Sequence, residues 1–432
     1  MREIKIALLG LGTVGQGVVK VLQKNAALWS KKCQAEIKLQ KVLVKNKESS
    51  REVNLPPGVI TTDWQEIIND PSIKIVIELI GGIEPARTYV LEALKQGKDV
   101  ITANKDLLAE YGAEILSVCE KAKRNIFFEA SVGGGIPLIN PLRQSLAANN
   151  LEKVMGIVNG TTNYILTKMS QVGMDFAVAL KEAQELGYAE ADPTADIEGF
   201  DAARKIAILA SLAFHTRVCL SDVYVEGISQ ITAQDLAYAQ KLGYTIKLLG
   251  IATAENDEIE VRVHPALLPL NHPLANVNDS FNAVFVRGDA VGETMFYGPG
   301  AGQLPTASSV VGDLITAIKK ITANCQDYST CTCYAEKKIR PMDEVKTSYF
   351  LRLRVVDQPG VLAGIAGIFG QEGVSLASVV QQGCFPDEAE LVVITHLVKE
   401  KAMQASLNKI EQLPTTKKIV SLIRVEESGG VI

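Results

Sequence analysis

Residues 4–9 form a short apolar run that ends in Gly10-Leu11-Gly12-Thr13-Val14-Gly15, after which the pattern turns amphipathic through Leu22. Strand-like runs recur at 37–44, 73–80, 99–102 and 125–129, separated by helical stretches such as 87–96 and 113–124. Apolar strands alternating with helices predict a parallel sheet covered on both faces. Beyond residue 140 the pattern changes. Residues 175–186 set Phe176, Leu180, Ala183 and Leu186 on one helical face with Gly187 as the cap, and 200–214 reads as a second helix. Residues 220–249 are expected to be largely helical, 259–263 and 282–286 extended, and 306–322 a helix returning to the first domain. After a polar stretch, Leu351, Leu353 and Val355 alternate with Arg352 and Arg354, and the remaining segments give the order β-α-β-β-α-β.

The fold class is therefore α/β. A Rossmann-type parallel sheet occupies 1–135, a central α+β domain 136–323, a linker 324–347, and a ferredoxin-like unit 348–432.

Composition narrows what such a chain does. With 432 residues, 47% hydrophobic and 22% charged, it is an ordinary globular protein with sizeable cores. Lys plus Arg number 44 against 49 Asp plus Glu, a net charge of −5 without a clustered basic tract, so no nucleic-acid partner is expected. No apolar run reaches the ~18–20 residues of a bilayer span. The N-terminus lacks the zones of a signal peptide, and a cytoplasmic location without membrane contact is expected. Seven cysteines without a Cys-x-x-Cys pair argue against a disulfide framework. Cys325, Cys331 and Cys333 have no nearby His and match no zinc spacing.

Gly10, Gly12 and Gly15 stand where a dinucleotide fingerprint needs them, after a strand and opening a helix. The first permits the tight turn, the second lets the backbone approach a pyrophosphate, and the third lets helix and strand pack closely. The amides around Thr13 and Val14 then face the phosphates. An NAD enzyme places an acid at the end of the second strand, yet this chain has Val44-Lys45-Asn46-Lys47. Lys45 or Lys47 facing a 2′-phosphate favours NADP over NAD, although surface lysines are also common there.

Two further lysines bear chemistry. Lys105 follows the strand at 99–102, at the carboxyl edge where open α/β sheets bind ligands, or else is a solvated loop residue. Lys205 lies on a helix apolar nearly all round, one turn after Asp201, so burial and a partner or a role are expected. The preceding loop carries Glu190, Asp192, Asp196, Glu198 and Asp201, either as acceptors for a substrate ammonium, as metal ligands, or as a plain acidic loop.

Glu129-Ala130-Ser131-Val132-Gly133-Gly134-Gly135-Ile136-Pro137, Asn159-Gly160-Thr161-Thr162-Asn163 and Gly187-Tyr188-Ala189-Glu190-Ala191-Asp192-Pro193, with Asp196, Asp201 and Lys205, strongly resemble homoserine dehydrogenase. The resemblance spans residues 1 to about 320, and the tail around Asp357-Gln358-Pro359-Gly360 resembles an ACT domain. It implies reversible NAD(P)-dependent reduction of L-aspartate 4-semialdehyde to L-homoserine, in threonine, methionine and isoleucine biosynthesis. Lys205 and Lys105 match the family's active-site lysines, without deciding which transfers the proton. Glu190, Asp201, Asp196 and Thr161 match the substrate site, and Gly187 and Gly302 cofactor contacts. Glu129 and the carbonyls of Val132, Gly134 and Ile136 match a structural site for a monovalent cation, sodium. The ACT resemblance places an amino-acid effector, L-threonine, at Asp357, Gly360, Val361 and Leu362, and a homodimer or homotetramer is implied. Lys45 departs from the Arg of many NADP-preferring members. A non-catalytic amino-acid sensor and an oxidoreductase for another amino-acid aldehyde are the competing expectations.

Overall fold

The computed structural model describes residues 2–325, 327–385 and 387–426. The extreme ends of the expected 1–135 and 348–432 domains, position 386 within the latter, and one linker position lie outside the described residues. Two compact units emerge, one from residues 1–154, 204–221 and 282–336, the other from 155–203, 222–281 and 337–432.

The first unit opens with β1 (Arg2–Leu9), α1 (Thr13–Lys24), α2 (Ala26–Cys33), β2 (Ala35–Leu43), β3 (Ile60–Thr61) and α3 (Gln65–Ile68). It continues through β4 (Ile73–Glu78), α4 (Ala86–Lys95), β5 (Asp99–Thr102), α5 (Lys105–Ala122) and β6 (Ile126–Phe127). The chain then runs through β7 (Leu151–Ile157) into α6 (Gly160–Val172), α7 (Phe176–Glu185) and α8 (Thr194–Ile197) of the second unit. Most of α9 (Phe200–Phe214) belongs to the first. β8 (Tyr224–Val225), α10 (Ala233–Lys241), β9 (Tyr244–Glu255) and β10 (Glu258–Pro269) build the second unit. β11 (Phe281–Gly288), β12 (Gly292–Pro299) and α11 (Gln303–Thr322) build the first. The remainder is β13 (Lys338–Ile339), β14 (Lys346–Val356), α12 (Val361–Gln371), β15 (Leu376–Phe385), β16 (Glu388–Thr395), β17 (Val398–Lys399), α13 (Glu400–Glu411) and β18 (Thr416–Val425).

The first unit holds a parallel sheet in the order β3-β2-β1-β4-β5-β6. Ile6, Leu8, Ile75, Ile77 and Ile101 are fully buried in it, as a sheet covered on both faces requires. The late helix α11 packs its Ala307, Val310, Leu314 and Ile318 stripe into the same core as Val18 and Val19 of α1. Gly17 permits that approach, since a Cβ there would stand 2.5 Å from the Gln303 carbonyl oxygen.

In the second unit the sheet runs β9-β10-β18-β14-β16-β15. β14 pairs antiparallel with both β18 and β16, which is the ferredoxin-like arrangement. β18 also pairs parallel with β10 at Ala266–Arg424 and Leu267–Val425. Three buried arginines fix that seam. Arg352 meets Asp235 at 2.8 Å and Glu390 at 2.7 Å. Arg424 meets Glu400 at 2.9 Å and Glu226 at 2.8 Å, and Arg262 meets Glu426 at 2.6 Å.

Local expectations fail in identifiable ways. Residues 244–249, expected to be helical, form the start of strand β9, because Gly243 at φ +83° stops α10 and residues 246–252 are buried without interruption on both faces. Such a run carries no period to read. Helix α5 begins at Lys105, well before the expected 113, because the Asn104 side chain accepts the Leu107 N–H and caps it. The expected strand at 125–129 shortens to Ile126–Phe127 and passes into a 3₁₀ turn at Glu129–Ser131.

Candidate active site

The glycine loop joins β1 to α1. Gly10 has φ +95°, its N–H donates to the Leu43 carbonyl at 2.9 Å, and a Cβ there would lie 2.6 Å from the Leu79 carbonyl oxygen. A Cβ on Gly15 would lie 2.2 Å from the Gly10 carbonyl oxygen. Gly12 differs: a Cβ there meets nothing within 4 Å. Gly10 and Gly15 therefore serve the turn, whereas Gly12 keeps open space in front of the helix N-terminus. That is the cradle a pyrophosphate needs, and it fits a dinucleotide. Gly12 and Thr13 are exposed and Val14 is half-buried.

Lys45 lies exposed just past β2. The loop that follows is held from beneath by Arg51, whose guanidinium donates to the carbonyls of Lys47 and Ser49, each at 2.8 Å. This basic cluster sits at the strand end where the 2′-substituent of a bound dinucleotide is read. Sequence reasoning passed over Arg51, although it lies six residues after Lys45.

At the carboxyl ends of β4 and β5 a polar network sets the position of Lys105. Buried Glu78 accepts the N–H groups of Ile80 at 2.8 Å and Gly81 at 3.1 Å, and the Thr102 hydroxyl at 2.6 Å. Thr102 in turn accepts the Asn104 N–H at 3.0 Å, and the Asn104 amide donates to the Gly82 carbonyl at 2.6 Å. Asn104 thus ties the turn after β4 to the start of α5, where half-buried Lys105 is the first residue. Lys205 is half-buried rather than buried as expected. The neighbours of the two lysines form an ion pair: Arg204 Nε lies 2.7 Å from Asp106 Oδ1, facing it without the alignment of a hydrogen bond. The ends of α5 and α9 that carry Lys105 and Lys205 are so joined within the first unit.

The acid-rich segment is organised by a residue that sequence reasoning quoted without a role. Asn159 caps α6 and accepts from the Thr162 N–H at 2.8 Å, while its amide donates to Asp196 at 2.6 Å and Asp201 at 2.8 Å. The cap leaves two carboxylates aimed at one amide. Thr161, in the first turn of α6, donates to the Tyr188 carbonyl at 2.6 Å and fixes the chain after Gly187, which has φ +75°. Asp196, Asp201 and Thr161 are thereby brought to one helix end. Glu190 stands exposed in the same loop, its carbonyl held by Gln184 at 3.1 Å. Asp201 and Lys205, four residues apart on α9, share a helix face.

Glu129 is a buried acid. Its carboxylate accepts the backbone N–H groups of Leu138, of Ile139 at 2.8 Å and of Asn140 at 2.8 Å. The Gly134 carbonyl accepts the Ser309 hydroxyl at 2.7 Å, and Val132 and Ile136 are buried beside it. Gly134, at φ +54°, abuts the Gly300 carbonyl so closely that a Cβ would come within 2.4 Å. This sets the triple-glycine turn against the loop leading to Gly302, which has φ +122° and opens α11. Burial, then the Glu129 charge, push the Asp313 carboxyl up to about 7. Buried carboxylate and carbonyl oxygens are hard donors, of the kind that hold hard cations rather than soft transition metals. Among the described residues no group of three or more His, Cys, Asp or Glu converges as for a metal. No described helix is long and apolar enough to cross a membrane.

In the second unit, Asp357, Gly360, Val361 and Leu362 line a cavity of about 350 Å³ together with Gln381. Gln381 donates to Asp357 at 3.2 Å, and Gly360 at φ +90° opens α12.

Comparison with known proteins agrees with this layout. Residues 137–315 match the homoserine dehydrogenase family, 10–129 its NAD-binding domain, and 349–415 the ACT domain. Homoserine dehydrogenase of Bacillus subtilis is 46% identical over 431 residues, covering 99% of this chain and 100% of its own. The crystal structure of homoserine dehydrogenase from Thiobacillus denitrificans superposes with a TM-score of 0.94 at 45% identity, covering 99% of each chain. A hyperthermophilic archaeal homoserine dehydrogenase solved with NADPH has a TM-score of 0.63 at 26% identity, over 74% of this chain and 98% of its own. With an NAD-binding fold, a central catalytic domain and a C-terminal ACT domain in this order, the chain belongs to the homoserine dehydrogenase family.

Proposed function

We propose that the chain interconverts L-aspartate 4-semialdehyde and L-homoserine, with NADPH preferred over NADH. The observation that carries the proposal is the pairing of Lys105 and Lys205 through the Asp106–Arg204 bridge, in the unit that also holds the glycine cradle. The nicotinamide supplies or takes the hydride. The lysines do the rest: an ammonium beside the carbonyl oxygen stabilises the negative charge that develops there, and can deliver the proton. Asp201, Asp196 and Glu190 receive the substrate ammonium, with Thr161 fixing their loop. Lys45, Lys47 and Arg51 support binding of a 2′-phosphate.

Three further assignments belong to this reading. Glu129 and the carbonyls of Val132, Gly134 and Ile136 hold sodium as a structural ion. The 350 Å³ cavity at Asp357–Leu362 takes L-threonine as a feedback effector. The assembly is a homodimer or homotetramer in the cytoplasm, and the domains divide near 135, 323 and 347.

The test is reduction of NADP⁺ and NAD⁺ with L-homoserine, followed by absorbance, with and without L-threonine, beside Lys205→Ala. Homoserine-dependent reduction, faster with NADP⁺, largely lost in the variant and lowered by L-threonine, is expected. Folded protein inactive with both cofactors would refute the activity. For the effector site, Leu362→Asp is a better probe than truncation, because removing β14 to β18 would strip buried Asp235 and half-buried Glu226 of their cations and buried Arg262 of Glu426.

A further inference from the structure

A cavity of about 100 Å³ lies in the first unit, walled by Leu108 and Leu116 of α5 and by Ala207 and Ile208 of α9. Cys219, Cys331 and Cys333 line it as well. Cys219, Cys331 and Cys333 are unbridged, and the proposed dehydrogenase chemistry uses none of them. The segment bearing Cys331 and Cys333 is fastened to the end of α9. The Ala335 N–H donates to the His215 carbonyl at 2.8 Å, the Thr216 hydroxyl donates to the Ala335 carbonyl at 3.0 Å, and Tyr334 stacks on His215 at 4.6 Å between ring centres.

Within this segment the chain turns sharply, the Tyr334 N–H donating to the Thr332 carbonyl at 3.0 Å with Cys333 at the centre. The turn sets Cys333 two residues from Cys331 on the wall of the same cavity, close enough for each to feel the other's charge. Burial and that neighbour hold the Cys333 proton on, up to about 12, while Arg217 opposes them. Cys331 and Cys333 are both half-buried and so reachable, and exposed Arg217 lines the same cavity. The thiolate is the form that attacks a disulfide.

We propose that this cavity is a thiol-modification site at which a low-molecular-weight disulfide oxidises Cys331 and Cys333 to an intramolecular disulfide. The Cys331 thiolate attacks one sulfur of the reagent disulfide, forming a mixed disulfide and releasing one thiolate. Cys333 then loses its proton and attacks the Cys331 sulfur, closing the Cys331–Cys333 bond and releasing the second thiolate. Two protein thiols are oxidised and one external disulfide is reduced to two thiols, so atoms and electrons balance. The cavity walls include Leu108, three residues after Lys105, and Ala207 and Ile208, two and three after Lys205. Closing the disulfide changes the surface against which both lysine-bearing helix ends pack, and turnover falls.

The experiment treats full-length protein with cystamine, blocks remaining thiols with iodoacetamide, and maps the peptides by mass. The expected result is an unblocked 331–333 peptide lighter by two hydrogens, formed ahead of any adduct on exposed Cys325. Cys333→Ser should instead trap one cysteamine on Cys331. Oxidation of homoserine should fall as the disulfide forms, recover with dithiothreitol, and stay constant in Cys331→Ser/Cys333→Ser. Cys331 and Cys333 both blocked as thiols, or modified no sooner than Cys325, would overturn the site. A disulfide that forms with unchanged turnover would overturn its coupling to the lysine helices. Only the turnover readout rests on the dehydrogenase proposal; the mass readout decides the site even in a chain that fails to oxidise homoserine.

Discussion

Gly12→Ala and Gly15→Ala separate cofactor binding from folding at two positions three residues apart. A Cβ at Gly12 meets no atom within 4 Å, and its φ of −79° suits alanine, so the unliganded fold should be indifferent. The methyl would occupy the space where the backbone must approach the pyrophosphate. Displacing the phosphate from the amides at the start of α1 loses hydrogen bonds to a charged group, about 1.5–3 kcal/mol. That corresponds to a rise of roughly 10- to 100-fold in cofactor KM. At Gly15 the same methyl lies 2.2 Å from a backbone oxygen, which must move. Overpacking of this kind costs about 1–3 kcal/mol of stability. Cofactor titration at saturating homoserine and thermal unfolding without cofactor should therefore give opposite patterns. Gly12→Ala should keep its melting temperature and lose affinity, while Gly15→Ala should melt several degrees lower. A Gly12→Ala protein that melts early yet binds cofactor normally would refute the division of roles.

Other outcomes follow from the same structure. Asn159→Ala removes the amide shared by Asp196 and Asp201, at about 1.5–3 kcal/mol for a hydrogen bond to a charged group, and should raise homoserine KM more than it lowers kcat. Unchanged KM would show that the amide does not position these acids for substrate. Arg352→Met leaves Asp235 and Glu390 buried without their cation, and urea unfolding should show a loss of about 3–5 kcal/mol. Adding Asp235→Asn and Glu390→Gln should recover much of it, and no recovery would argue against uncompensated charge as the cause. Burial lowers Lys247 to about 8 from 10.5, so the unfolded chain binds its proton more tightly. Stability should therefore climb as pH rises from about 8 to 10.5, by roughly 3 kcal/mol from this group. In Lys247→Met that part of the slope should vanish, and an identical profile would refute it.

The glycine loop was legible because its spacing has only one physical use between a strand and a helix. The ferredoxin-like order at the C-terminus was legible because Arg352 and Arg354 alternate with apolar residues. β9 was not, since a strand buried on both faces lacks the period that separates strand from helix. The role of Asn159 was hidden for another reason: its partners are 37 and 42 residues away and meet it only once α6, α8 and α9 converge. Asn104 was missed because the helix it caps was placed too late. The sites at Glu129 and at Asp357 rested on family resemblance alone, since scattered carbonyls and a turn leave no mark in composition or periodicity.

The parallel pairing of β18 with β10 has a consequence for synthesis on the ribosome. Glu226, Asp235 and Arg262 are made roughly two hundred residues or fewer before their buried partners Arg352, Arg424 and Glu426. Until those partners leave the exit tunnel, the growing second unit holds Asp235 without its cation and Arg262 with only one of its two acids, and burying them in that state is penalised. The nascent chain is thereby kept from closing its interior early, and the final strand acts as the latch that commits the unit to its native form. Stalled or prematurely terminated products should consequently stay open to proteases, a built-in mark distinguishing them from finished molecules.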